Sequence, residues 1–517
     1  MRLWNELLRV RGRGFTMPDP GILQLPDWLS LRSRTHADKL AIRDKDESIT
    51  YSELNHRVQF AESQLAKLGF VEGQILCVLA ENSIEFAVLF HTAIRMKAPF
   101  VPLNSRLTVH ELAWETEHCG AEFLVTDDSN QALGSNIAEI TEIAIVDLGT
   151  LTSGSTVNDQ DEQIFLEADN SLALIYTSGT TGLPKLASLS HLNFYWSAIA
   201  SAANIGVEER DSWLVCMPLF HVGGLSILMR AAIYGISAVI HTKFDVESVN
   251  TELDSGAVSL VSLVPTMLDR LLNVVDSPAR YSDSLRAVLL GGGPATVDLI
   301  RQGLDRGIPI LQTYGLTEAT SQVATVSQQH AVSHAGSAGR PLLASTVKLR
   351  GSIDLPITEV TSGEILVRGR TISAGYYEKS VISDGGKFDD GWLCTSDLAT
   401  RDEEGFLTVV GRADDVILSG GENVHPEEIE SVINSHDGVV ESAVFGVPDK
   451  VWGQKVVAVL RVETSEAFDL EAIEDILRLN LAGYKVPKKW QVVESALPRT
   501  ASGKLKRFQV AEEFTQR

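Results

Sequence analysis

The chain has 517 residues, of which 44% are hydrophobic and 22% charged, and its formal net charge is −24. This length predicts at least two domains. The acidic balance argues against nucleic acid or anionic lipid as a partner, because both require a basic protein surface. No apolar run is long enough for a membrane span. The cysteines are far apart and form no Cys-x-x-Cys pair, which argues against a disulfide framework or zinc site and favours a reducing cytoplasm; they are Cys77, Cys119, Cys216 and Cys394.

Residues 1–16 carry four arginines and one acidic residue. They lack the apolar core and the small-residue cleavage site of a secretory signal. We expect a flexible basic extension, with Met17 as an alternative start.

Between about residues 26 and 125 the pattern alternates between strands and helices. It predicts strands at 37–46 and 74–80 and helices at 51–68 and 84–94. Such spacing is typical of parallel sheets with helical crossovers. Residues 128–170 are polar and predict a surface excursion.

Residues 176–185 read Tyr-Thr-Ser-Gly-Thr-Thr-Gly-Leu-Pro-Lys and follow an apolar run that predicts a buried parallel strand. Glycines let backbone amides approach an anion, hydroxyls donate hydrogen bonds, and lysine adds positive charge, which together suit a polyphosphate. The spacing differs from that of the common nucleotide loop, since Pro184 precedes Lys185 and Leu186 follows it. A Gly/Thr-rich surface turn is the alternative.

The same alternation of strands and helices is predicted again further along the chain. Strands are predicted at 257–264, 285–290 and 308–313, and helices at 266–275 and 296–304. Open parallel sheets bind ligands beyond the carboxyl ends of their strands. We therefore expect the loops 176–185, 291–294 and 314–318 to converge at one edge.

From residue 363 short strands and tight turns replace the alternation, and a compact unit follows residue 412. It predicts helices at 427–435 and 470–479 and strands near 439–447, 456–462 and 490–494. The polar stretch 411–415 is the natural hinge before this small α+β domain.

Six motifs in order resemble those of the adenylate-forming enzymes, which include acyl-CoA synthetases, and the resemblance covers nearly the whole chain. The motifs are residues 176–185, Pro218-Leu219-Phe220-His221, residues 314–318, Thr395-Ser396-Asp397, residues 411–415 and residues 498–504. The resemblance implies an α/β fold in which parallel-rich sheets sandwiched by helices form a large N-terminal domain over 17–411. A hinge at 412–415 containing Asp414 and a small mobile α+β lid over 416–517 would complete it.

Family chemistry implies that a carboxylate attacks the α-phosphorus of ATP, giving an acyl adenylate, and that a thiol, usually of coenzyme A, then displaces AMP. The loop would hold the β- and γ-phosphates through Thr177, Ser178, Gly179, Thr180, Gly182 and Lys185. Thr181 and Glu318 would position Mg²⁺, a hard ion that prefers oxygen ligands. An ordinary loop carboxylate is the alternative for Glu318.

The resemblance also implies the nucleoside contacts. Gly291, Gly292 and Gly293 would let adenine lie against backbone, next to the aromatic face of Tyr314 and to Thr317. Asp397 would accept hydrogen bonds from the ribose hydroxyls, with Arg412 as a further donor. The family usually has glycine where this chain has Ser396, a departure that bears on the local turn geometry and not on the role of Asp397.

Lys504 would reach into the site during adenylation and pair with the acid and the α-phosphate. In the family the C-terminal domain then rotates, which would withdraw Lys504 and bring in the loop 419–423, with Ser419, Gly420 and Gly421 shaping the coenzyme A channel.

Several stretches resemble one branch, the 2-succinylbenzoate–CoA ligases of menaquinone biosynthesis; they include 218–226, 289–294, 317–322, 419–423 and 451–454. A second carboxylate on that substrate would need polar donors, for which Ser321, Gln322 and His221 are the candidates. The alternative for His221 is that it gates the entry of ATP and acid.

Three other readings stay open: a generic aryl- or fatty-acyl-CoA ligase, an adenylation enzyme that loads a carrier protein, and an inactive binding protein. Lys185, Glu318, Asp397 and Lys504 argue against the last. The expected partners are a carboxylic acid, ATP and coenzyme A, with no nucleic acid and no integral membrane segment, and the sequence leaves a homo-oligomer open.

Overall fold

The structure is a computed structural model. It describes residues 23–156, 164–177, 184–274, 281–293, 295, 297–350, 361–378, 381–412, 417–424, 426–436, 438–463, 468–498 and 507–515. Within these residues it is a mixed α/β protein with a large N-terminal part and a smaller C-terminal α+β unit, which confirms the expected fold class.

Two large sheets form the N-terminal part. In spatial order, the strands of sheet I are Val381–Ser383, Gly375–Glu378, Lys185–Ser190, Ser171–Thr177, Phe100–Pro102, Leu76–Leu79, Phe123–Thr126 and Ala144–Asp147. The strands of sheet II are Arg340–Pro341, Ser321–Thr325, Ile310–Leu316, Ala287–Leu290, Leu260–Leu263, Ser212–Val215, Ser237–Ile240, Leu40–Arg43 and Ser48–Thr50. The central strands of both sheets are parallel, as the alternation predicted.

Two smaller sheets follow. Sheet III contains Ser345–Arg350, Thr361–Gly369, Trp392–Arg401, Phe388–Asp389 and Leu407–Arg412. Sheet IV belongs to the C-terminal unit and contains Glu422–Val424, Ile417–Ser419, Gly453–Val462, Val439–Asp449 and Lys489–Val493. A separate pair joins Gln24–Pro26 to Phe165–Glu167.

The α-helices lie between and around these sheets. They are Trp28–Thr35, Tyr51–Lys67, Ile84–Arg95, Val109–Cys119, Gln131–Thr141, Leu148–Thr152, His191–Ile205, Val222–Tyr234, Val246–Ser255, Pro265–Leu272, Val297–Asp305, Pro426–Asn434, Leu470–Asn480 and Arg507–Thr515. None of the helices in the described ranges is long and apolar enough to cross a bilayer.

Local signals explain why these helices begin and end where they do. The Thr50 side chain accepts a hydrogen bond from the Glu53 amide while Glu53 reaches back to Thr50, a capping box that starts the helix Tyr51–Lys67. Thr108 and Glu111 start Val109–Cys119 in the same way, and Gly120, at φ 75°, ends it. The apolar face of Tyr51–Lys67 is buried in the core between sheets I and II, and that of Val109–Cys119 is buried against sheet I.

Two sequence expectations were wrong in detail, and a third was confirmed on one side of its strand. The polar stretch 128–170 contains the helices Gln131–Thr141 and Leu148–Thr152 and the edge strand Ala144–Asp147, because Leu133, Ile137 and Leu148 supply enough apolar surface to pack on sheet I. The strand Ser171–Thr177 is parallel to Phe100–Pro102, as predicted, and antiparallel to Lys185–Ser190 on its other side. The strand at 310 continues through Tyr314 to Leu316.

Candidate active site

A cavity of about 1290 Å³ lies where sheets I, II and III meet the C-terminal unit. Its lining includes the strand end at Thr177 and Lys185 of sheet I, residues 289–293 and 312–318 of sheet II, Asp397 of sheet III and the turn 420–423 of sheet IV. It exceeds the volume of most single-ligand pockets, ~300–1,000 Å³, and so has room for more than one ligand.

Tyr314 and Asp397 meet on one wall. The Tyr314 hydroxyl donates a hydrogen bond of 2.6 Å to Asp397 Oδ2. The next residue, Gly315, leaves no room for a side chain, since a Cβ there would lie 1.6 Å from the carbonyl oxygen of Ser321. The wall therefore presents an aromatic ring beside a hydrogen-bonding carboxylate.

The glycines at 291–293 form the neighbouring wall. A Cβ on Gly291 would lie 2.6 Å from Thr313 Cγ2, and Gly292 has φ 75°, a conformation that favours glycine. Backbone atoms are thus exposed to the cavity directly, which suits a flat ring. Pro294 lies outside the described residues.

Glu318 lies on the short turn Thr317–Ala319 that follows the strand Ile310–Leu316. Its Oε1 accepts a hydrogen bond of 2.7 Å from the Tyr376 hydroxyl of sheet I. A carboxylate facing the cavity is the ligand type that Mg²⁺ prefers, so Glu318 fits the ion. Within the described residues no group of three or more His, Cys, Asp or Glu could hold a metal ion.

Lys185 lies beside this carboxylate. Its Nζ donates a hydrogen bond of 2.8 Å to the carbonyl oxygen of Gly385 and lies 5.2 Å from the centre of the Tyr376 ring. Burial, and next the charge of Lys387, lower the pKa of Lys185. The loop end therefore has cations crowded near Glu318.

The cavity lining also includes Arg230, which the sequence analysis did not single out. It is the one charged residue of the apolar helix Val222–Tyr234 and is 2% exposed. Its Nη2 donates to Ser197 Oγ at 3.2 Å and its guanidinium lies over the Trp213 ring, while its Nε has no hydrogen-bond partner. Within the described ranges no carboxylate forms an ion pair with it. A lone charge inside an apolar helical run is the signal that could have identified it.

Ser197 links Arg230 to the predicted acid pocket. The Ser197 hydroxyl donates to the carbonyl oxygen of Thr320 at 2.7 Å, and both Thr320 and Ser321 have positive φ, so the chain turns sharply there. Gln322 Nε2 donates to Thr325 Oγ1 at 3.1 Å, which engages it within the wall. Ser321, Gln322 and Arg230 all line the cavity.

His221 contacts the C-terminal unit. Its Nε2 lies 3.3 Å from Glu422 Oε2, and Arg106 Nη1 donates to Glu422 Oε1 at 2.7 Å. Burial opposes ionisation of Glu422, but the charges and hydrogen bonds of His221 and Arg106 outweigh it and lower the pKa of its carboxyl. The turn containing Gly420 and Gly421 is thereby held against the N-terminal part, where Gly421 approaches Val264.

Several predicted residues lie outside the described residues. They are Ser178, Gly179, Thr180, Thr181, Gly182, Asp414 and Lys504. For Arg412 the structure describes only the backbone, which pairs with Asp397. Ser419 is buried at the end of Ile417–Ser419. The roles of these residues and the domain boundaries stay predictions.

Comparison with known proteins gives consistent matches. The profile of the AMP-binding enzyme family matches residues 29–377, and that of the AMP-binding enzyme C-terminal domain matches residues 428–504. The 2-succinylbenzoate–CoA ligase of Bacillus licheniformis is 36% identical over 491 residues, which are 95% of this chain and 100% of that protein.

Two solved structures of the o-succinylbenzoate CoA synthetase of Bacillus subtilis, each 35% identical, cover 95% of this chain. A double mutant bound with the product analogue OSB-NCoA matches with a TM-score of 0.87 over 99% of its chain. The complex with ATP and magnesium matches with a TM-score of 0.71 over 100% of its chain. Because both are structures of one enzyme, the scores differ through conformation, and this chain has the arrangement nearer to the CoA-analogue complex.

Proposed function

The chain belongs to the AMP-binding enzymes, and we propose that it joins 2-succinylbenzoate to coenzyme A through an acyl adenylate, releasing AMP and pyrophosphate. Its relatives of this name match along nearly their full length. The product is a thioester of menaquinone biosynthesis, as the resemblance implies. We propose that it acts in the cytoplasm, with small-molecule partners.

In the first half-reaction a carboxylate oxygen attacks the α-phosphorus, and the bond from that phosphorus to the oxygen bridging to the β-phosphorus breaks. Both reactants are anions, so the site must offset their repulsion with cations and fixed dipoles. Lys185 supplies charge at the loop end, Asp397 accepts from the ribose hydroxyls, and Tyr314 packs on the base. Glu318 would hold Mg²⁺, which would supply positive charge that neutralises the phosphates. We expect Lys504, which lies outside the described residues, to pair with the acid and the α-phosphate.

In the second half-reaction the thiolate attacks the acyl carbon and AMP leaves. The turn 419–423 shapes the thiol channel, and the contacts of Glu422 with His221 and Arg106 hold it in place. This arrangement is the one expected for thioester formation.

The observation that supports this choice of acid is the burial of the Arg230 guanidinium without a carboxylate partner in the described residues. A buried guanidinium without a carboxylate partner is costly, and a second carboxylate on the substrate compensates it. A simple fatty acid or benzoate has no such group, so the pocket favours an aromatic dicarboxylate. This supports a 2-succinylbenzoate–CoA ligase over a generic acyl-CoA ligase.

The test is AMP release with ATP, Mg²⁺ and coenzyme A across a panel of acids. We expect 2-succinylbenzoate to give the highest kcat/KM, with octanoate and benzoate far below it. A higher value for either monocarboxylate would overturn the substrate, and AMP release that requires a carrier protein would favour the loading enzyme. No turnover with any acid would overturn the enzyme assignment.

A further inference from the structure

The strand Trp392–Arg401 is interrupted by a bulge beside the cavity. Leu366 pairs with Cys394 and Glu364 pairs with Leu398, so residues 395–397 face a single residue of the neighbouring strand. Bulges beside active sites reorient side chains, and this one directs Asp397 towards Tyr314.

Ser396 stands at the centre of the bulge with φ 62° and is buried. A residue with a Cβ is strained in this left-handed region, where glycine is favoured. The Ser396 amide donates to Glu364 Oε1 at 3.0 Å, a bond that glycine would also make. Its hydroxyl accepts a hydrogen bond of 2.9 Å from Lys387 Nζ, which glycine could not provide. The residue with the strained φ, Ser396, is thus also the residue whose hydroxyl holds the Lys387 ammonium in place.

Lys387 lines the same cavity as Lys185, Glu318 and Asp397. It follows the turn whose Gly385 carbonyl accepts from Lys185 Nζ. After burial, the charge of Lys387 is the largest cause that lowers the pKa of Lys185, so the two ammonium groups repel each other. Two cations held together beside a cavity form a favourable site for a polyanion.

We propose that Lys387 is a second cation for the β- and γ-phosphates and that Ser396 positions it. This inference rests on the proposed function. When the bond between the α-phosphorus and the bridging oxygen breaks, its electron pair stays on the departing pyrophosphate. An ammonium group near that product stabilises the growing charge, and in a chain of net charge −24 such cations must be placed locally.

The test compares Lys387→Met, Lys387→Arg and Ser396→Gly, with Lys348→Met as the matched control. Lys348 lies on sheet III, whose strand Phe388–Asp389 begins directly after Lys387, but its Nζ lies over the Trp392 ring and it is not part of the cavity lining. Calorimetry measures binding of magnesium pyrophosphate and, separately, of AMP. Pyrophosphate exchange gives KM for ATP and kcat.

We expect Lys387→Met to weaken pyrophosphate binding and to raise KM for ATP, each about tenfold, because one charge-assisted hydrogen bond is lost. AMP binding should be unchanged. Lys387→Arg should recover much of this affinity. Ser396→Gly should weaken pyrophosphate binding and yet raise the melting temperature, because it removes the strained φ.

Unchanged pyrophosphate binding in Lys387→Met and Ser396→Gly would overturn the inference, as would an equal loss in Lys348→Met. A lower melting temperature of Ser396→Gly with unchanged binding would assign Ser396 a purely structural role. If wild type binds pyrophosphate through Lys387 but turns over no acid, the proposed function fails and the phosphate role of Lys387 stands.

Discussion

Lys485 of the C-terminal unit lies with its Nζ 2.6 Å from Oε1 of Glu111 on the N-terminal helix Val109–Cys119. The same Nζ lies 2.8 Å from Glu428 Oε1 of its own unit, and Lys485 is 6% exposed. Carboxylates from both units thus share one buried ammonium. This contact specifically stabilises the arrangement in which residues 419–423 face the cavity.

Breaking this contact should slow thioester formation. We expect Lys485→Met to reduce the rate from presynthesised acyl adenylate about tenfold or more, since removing one partner of a buried pair costs a few kcal/mol, while pyrophosphate exchange stays near wild type. Glu111→Gln should act similarly and keep its capping role. A double-mutant cycle measures the coupling, and Arg461→Met, which breaks an ion pair within the C-terminal unit, is the control. Equal slowing of both half-reactions would contradict this role.

Lys504→Ala should show the reverse selectivity. We expect a large loss in pyrophosphate exchange, since the ammonium offsets charge on the acid and α-phosphate, and near-normal thioester formation from presynthesised acyl adenylate. Single-turnover assays of each half-reaction provide the measurement. Loss of both to the same degree would remove Lys504 from the adenylation site.

Arg230→Met should change which acids the enzyme accepts. We expect kcat/KM for 2-succinylbenzoate to fall about a hundredfold, the usual cost of losing a buried charged contact, while the low activity with benzoate is unchanged or rises. The monocarboxylate is the internal control. Ser197→Ala, which removes the neutral hydroxyl between Arg230 and the Thr320 carbonyl but keeps the guanidinium, should have a smaller effect. An equal loss of kcat/KM with both acids would show that Arg230 does not bind the second carboxylate.

Glu115, one turn after Glu111, should make stability depend on pH. Burial raises the pKa of Glu115 well above its ordinary value, although Lys485 opposes this. The folded protein then keeps a proton that the unfolded chain releases above about pH 4.3, so stability falls as pH rises from there to the folded pKa, by at most about 1.4 kcal/mol per pH unit. Glu115→Gln should flatten this fall and raise the melting temperature above pH 5. Glu117→Gln, on the exposed side of the helix, should not.

The sequence predicted most of the elements around the cavity, because their periodicity and caps are local. The helix at 51–68 and the strands at 285–290 and 456–462 agree with the structure within a few residues. The stretch 128–170 was misjudged because a few apolar positions among polar residues suffice to pack a helix at a sheet edge.

Other features lie beyond local patterns. The contact between Glu111 and Lys485 joins residues 374 positions apart and depends on how the two units dock. The left-handed φ of Ser396 follows from a bulge that no periodicity reveals, although the departure from glycine marked the position.

Arg230 also has a consequence for the empty enzyme. Within the described residues no carboxylate forms an ion pair with this guanidinium, and we propose that the substrate provides its counter-ion. The free protein therefore carries an electrostatic penalty that the protein with bound acid does not. Binding of the acid should raise the melting temperature by more than binding of a neutral analogue does. The same deficit means that small anions of the medium compete for the pocket, so apparent affinity for the acid depends on the choice of buffer salt.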